Sequence, residues 1–274
     1  MTNLRKDYLP AEDIVAQVRE AVDSHREGEI DWITFVGSGE PTLHAHLGRM
    51  IREIKAFTKI PVAVITNGSL LYLPEVREEL LAADAVMPTL DAGNAALYRK
   101  INRPMGELTF ERRVSGLETF RKMYTGRFLP EVMLIRGVND SEEALRELAE
   151  IFRRLQPDSV HVNLPTRPPA EPWVQPPDEE AILRAAAILG DVAEVVHPVD
   201  GIFDLSGYEN VADAIVGIVT RHPMREDTLL RTLKRWKREE VGAALNALEA
   251  DGRLRVVERY GVRFWSVVTA RYAE

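Results

Sequence analysis

The chain has 274 residues, a formal net charge of -8 and 45% apolar residues, so it can hold one large domain, or a medium and a small one, around a sizeable core. The acidic balance argues against a whole-chain nucleic-acid binder, although the acid excess lies before residue 209 and the tail beyond is mildly basic, which permits nucleic-acid contact there. The absence of cysteine excludes disulfides, thiolate zinc sites and a cysteine nucleophile; no membrane-length apolar run or signal-peptide pattern is present, which leaves the cytoplasm as the default compartment.

The first element is an amphipathic helix opened by Pro10-Ala11-Glu12-Asp13, with Ile14, Val15, Val18 and Val22 as its apolar stripe. Further helical stretches run near Leu47–Phe57, Leu73–Ala82, Ala95–Ile101, Thr109–Tyr124, Ser141–Leu155 and Asp178–Leu189. Between them lie short β-branched runs at Trp32–Val36, Val62–Thr66, Ala85–Leu90, Glu131–Arg136, Val160–Leu164 and Val195–Val196. These are near-continuous apolar strands, the pattern of a parallel sheet covered on both faces. Strand–helix alternation predicts βαβ units with right-handed crossovers, in an open doubly wound sheet or an incomplete barrel. In either, ligands bind beyond the carboxyl ends of the strands. No convincing strand precedes the first helix, so the Trp32–Val36 strand is expected to lack a partner on one side. The proline-rich stretch from Thr166 to Pro177 is too stiff for a helix or central strand and reads as a covering loop near the barrel mouth.

The tail changes style. Val211–Arg221, Glu226–Trp236 and Glu239–Asp251 read as short helices, and Arg253–Glu258, a turn at Tyr260-Gly261 and Val262–Val268 as a hairpin. Three helices and a two-stranded wing predict a winged helix-turn-helix over 209–274, beside a barrel domain over 1–205.

Every predicted barrel strand ends in small, polar or charged residues on the same rim. The first is followed by Gly37-Ser38-Gly39-Glu40-Pro41-Thr42, where glycines admit close backbone approach and Glu40 can accept from an ammonium group. The others end in Thr66-Asn67-Gly68-Ser69, Thr89-Leu90-Asp91-Ala92, Arg136-Gly137-Val138-Asn139-Asp140 and Asn163-Leu164-Pro165-Thr166-Arg167. One such end is an ordinary loop; five converging on one face predict a polar ligand site.

Gly37–Thr42 resembles the Gly-Gly-Glu-Pro motif of radical S-adenosylmethionine (SAM) enzymes. Ile65–Gly68, Leu90–Ala92, Ile101–Pro104, Glu131–Leu134 with Gly137–Asp140, and Pro165–Pro169 resemble one branch of that superfamily, the iron–sulfur oxidoreductases similar to tRNA wybutosine-synthesising enzymes. The resemblance covers about residues 4–198. It implies a partial parallel (β/α)6 TIM-like barrel and a [4Fe-4S] cluster that reduces SAM to methionine and a 5′-deoxyadenosyl radical. By position it implies that Gly37, Ser38, Gly39, Glu40 and Pro41 hold the methionyl amine. Thr66, Asn67, Thr89 and Asp91 then face the carboxylate and ribose, and Met133, Leu134, Asn163, Leu164 and Pro165 line the adenine.

The departure from the family is at the cluster. The Cys-x3-Cys-x2-Cys loop and the strand before it have no counterpart here, and thiolates hold such clusters. Either the chain is shortened or it is a cysteine-free relative that has lost the chemistry. A shortened chain is the favoured reading, because the rim motifs are intact and the missing piece is contiguous.

Arg103, Arg136, Asn139 and Arg167 are candidates for an anionic substrate near the mouth. His44 and His46 form a His-x-His pair, but a metal needs a further ligand, and an exposed helix entrance is the plainer reading. His161 reads as a core or rim histidine. In the tail, Lys234-Arg235-Trp236-Lys237-Arg238 suits phosphate contacts or is a solvated turn. The substrate class (RNA, peptide or small molecule) stays open, and the winged helix is expected to meet nucleic acid or protein. An electron donor is implied for a cluster-bearing parent. The leading reading is a radical SAM oxidoreductase, inactive as this chain; the rival is a SAM- or nucleotide-sensing protein with a nucleic-acid-binding tail.

Overall fold

The computed structural model describes residues 2–37, 39–166, 168–196, 205, 207–221, 224–259 and 262–268. Its contacts divide into two compact units, Met1–Leu164 with Pro177–Val196, and Pro165–Pro176 with His197–Glu274. Of the junction expected near 205–209 only residue 206 lies outside the described residues, and the proline-rich stretch groups with the second unit.

The first unit runs α1 (Ala11–Asp23), β1 (Ile33–Phe35), a 3-10 turn (Pro41–Leu43), α2 (Leu47–Phe57), β2 (Val62–Thr66), α3 (Pro74–Leu80), β3 (Ala85–Pro88), α4 (Ala95–Asn102) and α5 (Phe110–Met123). It continues with β4 (Arg127–Phe128), β5 (Glu131–Met133), α6 (Glu142–Leu155), β6 (Val160–Asn163), α7 (Glu179–Leu189) and β7 (Ala193–Val196). Helix starts are set locally: the side chains of Asn94, Thr109, Ser141 and Asp178 accept from backbone N–H groups at the starts of α4 to α7, replacing partners those N–H groups lack inside a helix.

All ladders in this unit are parallel, in the orders β1-β2-β3-β4 and β5-β6-β7. A single parallel bridge, Thr89 to Glu131, joins the two runs, with the Leu90 N–H donating to the Glu131 carbonyl at 2.7 Å. The expected strand 131–136 is thus shorter at its end and preceded by a small strand, β4, that the sequence reading missed. Pro130 separates β4 from β5 and has no N–H to donate toward β6, although its carbonyl accepts from the His161 N–H at 2.8 Å. Among the described residues β1 pairs only with β2, as expected for a strand with one open edge.

The core lies between the sheet and its helices. Val62, Val64, Val86, Val132, Val160 and Val162 pack with Leu47, Ile51, Ile54, Leu117, Phe120, Leu148 and Phe152, all essentially inaccessible. Each such side chain contributes about 1.5–3 kcal/mol on burial. Because side chains alternate along a strand, the other face carries Thr34, Ala63, Ile65, Ala85, Met87, Glu131, Met133, His161 and Asn163. On it Ala63, Ala85 and Leu129 cluster with Trp32 and Met87.

The second unit contains α8 (Val211–Arg221), β8 (Met224–Arg225), α9 (Glu226–Thr232), α10 (Arg238–Ala250), β9 (Leu254–Arg259) and β10 (Val262–Val267). The antiparallel sheet has the order β8-β10-β9, one strand more than the expected hairpin. Ile215, Ile218, Leu229, Leu233, Val241, Leu245, Leu248 and Trp265 form its core. The helix expected to reach Trp236 ends at Thr232, and the Trp236 N–H turns back to the Leu233 carbonyl at 2.9 Å. The Tyr260-Gly261 turn lies outside the described residues.

Candidate functional site

The strand ends of the first unit are tied together by Glu40. Its Oε1 accepts from the Thr42 N–H at 3.1 Å, the Thr42 hydroxyl at 2.6 Å and the Thr66 hydroxyl at 2.5 Å, and its Oε2 from the Asn67 N–H at 2.7 Å. Pro41 starts the 3-10 turn at a position where an N–H has no partner. Glu40 is therefore first a clasp between the ends of β1 and β2, with one lone pair on Oε2 left for a ligand. Gly37 and Gly39 are exposed, and a Cβ added at Gly39 would meet nothing within 4 Å. The loop thus presents bare backbone, while Ser38 lies outside the described residues.

The second strand end continues the clasp. Thr66 is buried, and its Oγ accepts from the Gly68 N–H at 3.0 Å, where Gly68 takes a positive φ of 70°. Asn67 is exposed, but its Oδ1 is committed to the Ser69 N–H at 2.8 Å. The Thr89 N–H donates to the Thr66 carbonyl at 2.9 Å.

Beneath these ends lies Arg113, a residue the sequence reading did not single out. It is 2% exposed. Its Nη2 donates to the Asn67 carbonyl at 2.9 Å and to the Thr89 carbonyl, while Nε and Nη1 have no hydrogen-bond partner among the described residues. Its guanidinium lies 5.0 Å from the Tyr98 ring centroid. Burial pulls its pKa down, opposed by Tyr98, Asp91 and Glu40. The only sequence signal is a charged residue beside Val114 and Leu117 on the apolar stripe of a helix.

Four expected ligand contacts turn inward instead. Asp91 is buried, with Oδ1 accepting from the Met133 N–H at 2.8 Å and Oδ2 from the Asn102 amide at 3.1 Å. Burial raises its carboxyl pKa, with the Met133 N–H, Arg113 and Asn102 pulling the other way. Asn139 is fully buried: Oδ1 accepts from the Ile135 N–H at 2.7 Å, and the amide donates to the carbonyls of Asp91 and Met133, both at 2.9 Å. It braces the loop after β5 and is not open to a substrate. The Leu134 side chain lies in the helix-side core. Pro165 is buried and groups with the second unit.

The remaining candidates are more open. Thr89, Met133, Asn163 and Leu164 are half-buried, Arg103 and Arg136 are exposed, and Arg167 lies outside the described residues. Arg103 ends α4 in the left-handed conformation, φ 45°. His44 has both ring nitrogens engaged, with the Leu9 carbonyl at 2.9 Å and the His46 N–H at 3.1 Å, and His46 sits 3.2 Å from Asp7. No group of three or more metal-ligating side chains occurs among the described residues. An apolar groove of about 470 Å³ runs from Ile14 and Val18 past Ile33 and Phe35 to Gly39 and Glu40.

The first unit is thus a parallel α/β sheet with helices on one face and a clasped polar rim at its strand ends, the end at which such sheets bind ligands. Residues 2–149 match the Radical SAM superfamily, and the chain belongs to that superfamily. It is 31% identical over 265 residues to UPF0026 protein MJ1312 of Methanocaldococcus jannaschii, covering 95% of this chain and 82% of that one. It is 31% identical over 198 residues to the ribosomal RNA large subunit methyltransferase N of Nitrosopumilus maritimus, covering 66% and 54%. Among solved structures, a radical SAM methyltransferase from Sphaerobacter thermophilus superimposes with a TM-score of 0.53 at 29% identity, covering 69% of this chain and 57% of that one. The chain spans 23% of one further curated relative and 53–60% of three others. These relatives point to UPF0026 proteins and RNA methyltransferases, which corrects the expected wybutosine-type oxidoreductase branch. No described helix is long and apolar enough to cross a membrane.

The superfamily implies SAM and a [4Fe-4S] cluster. The residues present do not fit the cluster, since the sequence has no cysteine. The open backbone of the Gly37–Pro41 loop and its clasp to β2 do fit the polar part of SAM.

Proposed function

We propose that the first unit binds SAM at its strand-end rim and serves an RNA-modifying protein of methyltransferase type. The observation that carries this reading is the Glu40 clasp, which draws the Gly37–Pro41 loop and Asn67 together within the superfamily match. Relatedness to an RNA methyltransferase and to a radical SAM methyltransferase supports the substrate class. When bound, SAM supplies an activated sulfonium carrying methyl and adenosyl groups. The loop backbone at Gly37 and Gly39, with the free lone pair of Glu40, accepts and orients its ammonium group. Thr89 and Asn67 border the ribose side, and Met133 offers contact to the base. With no cysteine to hold a cluster, no reductive step is assigned to this polypeptide.

The second unit is proposed to be a winged helix that docks the partner. The order α8, β8, α9, α10, β9, β10 and the sheet order β8-β10-β9 support it. Lys234, Lys237 and Arg238, around the turn into α10, suit phosphate contacts, although Glu239 and Glu240 follow at once.

Calorimetry of the chain with SAM tests the first proposal. Micromolar binding that weakens about tenfold on insertion of side chains at Gly37 and Gly39 supports it; no heat at millimolar SAM overturns it. Salt-sensitive binding of an RNA hairpin, reduced in K234E/K237E, tests the second.

A further inference from the structure

Beyond the rim, the sheet face turned away from the helices carries a polar trio in an otherwise apolar field. β5 and β6 pair in parallel with Glu131 opposite His161 and Met133 opposite Asn163. Val132, Val160 and Val162 point into the helix-side core, so alternation places Glu131, His161 and Asn163 together on the opposite face. All three are half-buried. The Asn163 amide donates to Oε1 of Glu131 at 3.3 Å. That leaves two acceptors on this hydrogen-bonded pair, Oε2 of Glu131 and Oδ1 of Asn163, with no donor to either among the described residues. Across the sheet the same face carries Ala63, Ala85, Ile65 and Met87, small or apolar side chains that offer a flat floor.

The charge balance is lopsided. Burial pushes the Glu131 carboxyl pKa up; the Asn163 bond and His161 oppose this, and Asp91 adds to it. Asp91 has its own cation in Arg113, on the helix side of the rim. No Lys or Arg side chain among the described residues is paired with Glu131. A half-buried carboxylate without such a partner is stabilised by a cation brought from outside. Two adjacent acceptors on neighbouring strands match two parallel N–H donors, the fork of a planar guanidinium or amidinium, better than a single ammonium point charge.

We propose that Glu131 and Asn163, flanked by His161, form a binding subsite for a planar guanidinium or amidinium group of the substrate. This site is separate from the Gly37–Pro41 loop, and its test requires no SAM. Ionised Glu131 is the acceptor, so affinity is present above its folded pKa and falls as acid protonates it.

The test is an NMR titration of the whole chain with ethylguanidinium and, separately, ethylammonium, following the Glu131 carboxyl carbon and the His161 ring protons. The expected result is a saturable shift of both signals with ethylguanidinium, and about tenfold weaker binding of ethylammonium. Glu131→Gln keeps the volume and the Asn163 contact and is expected to weaken ethylguanidinium about tenfold. Asn163→Leu is expected to erase the preference between the two cations. If a variant does not fold, the wild-type affinity measured from neutral to mildly acidic pH substitutes for it, with a fall on acidification expected. No saturable shift, equal binding of the two cations, or affinity that acid does not reduce overturns the proposal. Loss of SAM binding at the rim, by contrast, leaves this titration unchanged.

Discussion

The backbone N–H of Asn67 donates to Oε2 of Glu40 at 2.7 Å, across 27 positions of sequence. That bond and the Thr66 hydroxyl on Oε1 make one carboxylate the hinge pin between two strand ends. Glu40→Gln turns one acceptor into a donor that cannot serve the same N–H and O–H groups. Hydrogen bonds to charged groups are worth about 1.5–3 kcal/mol. The variant is expected to lose about 2 kcal/mol in urea unfolding, with faster amide exchange at Asn67 and Gly68. An unchanged midpoint and unchanged exchange rates would refute the clasp.

Arg113 is buried with its charge set against Asp91. Arg113→Met leaves that carboxylate without its cation and two carbonyls without a donor, at a cost of about 3–5 kcal/mol. Adding Asp91→Asn keeps the acceptor for Met133 but removes the orphaned charge, and is expected to recover about 1–3 kcal/mol in a double-mutant cycle. Strict additivity of the two changes would show that the pair does not interact.

The pH dependence has two parts of opposite sign. The pKa of Asp84 is lowered: burial raises it, but the Lys55 ammonium at 2.6 Å and the Val62 N–H at 2.8 Å outweigh burial. Its contribution is present above the unfolded value of about 3.9 and is lost as pH falls through the lower folded value. Asp91 and Glu131 are raised, so their native carboxyls hold protons longer, and stability declines as pH rises from the unfolded values toward the folded ones. Asp84→Asn is therefore expected to flatten the acid limb of a stability–pH curve without touching the decline above it. An acid limb as steep as wild type would contradict the assignment.

Gly116 lies where α5 meets the loop before α3. A Cβ there would sit 2.6 Å from the Tyr72 nitrogen and 2.7 Å from the Leu71 carbonyl carbon. Gly116→Ala gains helix propensity of up to about 1 kcal/mol, yet must push rigid backbone aside. The net expectation is a loss of about 1–3 kcal/mol by thermal or urea unfolding. A stabilised variant would mean that the two segments separate easily.

In the second unit, the Trp265 indole is 2% exposed and donates to Oε2 of Glu226 at 3.1 Å. Trp265→Ala removes the largest side chain of a small core and is expected to cost about 3–5 kcal/mol. Collapse of amide dispersion for residues 211–268 in an NMR spectrum would report it, while retained dispersion would show that the core closes without the ring.

The sequence by itself determined the strand–helix alternation, the helix starts at Ser141, Thr109 and Asp178, and the rim at Gly37–Pro41, Thr66 and Asn67. Those features are written in neighbouring residues: a cap bonds a few positions away, and a buried parallel strand must be apolar throughout. The pairing of β1 with β2 alone among the described residues agrees with the reading that residues 1–9 offer no convincing strand. What the rim residues do was decided by tertiary structure. Asp91 and Asn139 looked like open polar ends, yet the join between β3 and β5 turns them inward on backbone groups that would otherwise be buried unpaired. Arg113 reads as one charge on a helix until α5 packs beneath two strand ends. Glu131 and His161 stand 30 positions apart and become neighbours only through the register of β5 on β6. Long-range register and burial set which polar atoms remain free for chemistry, and neither is encoded in any local run of residues.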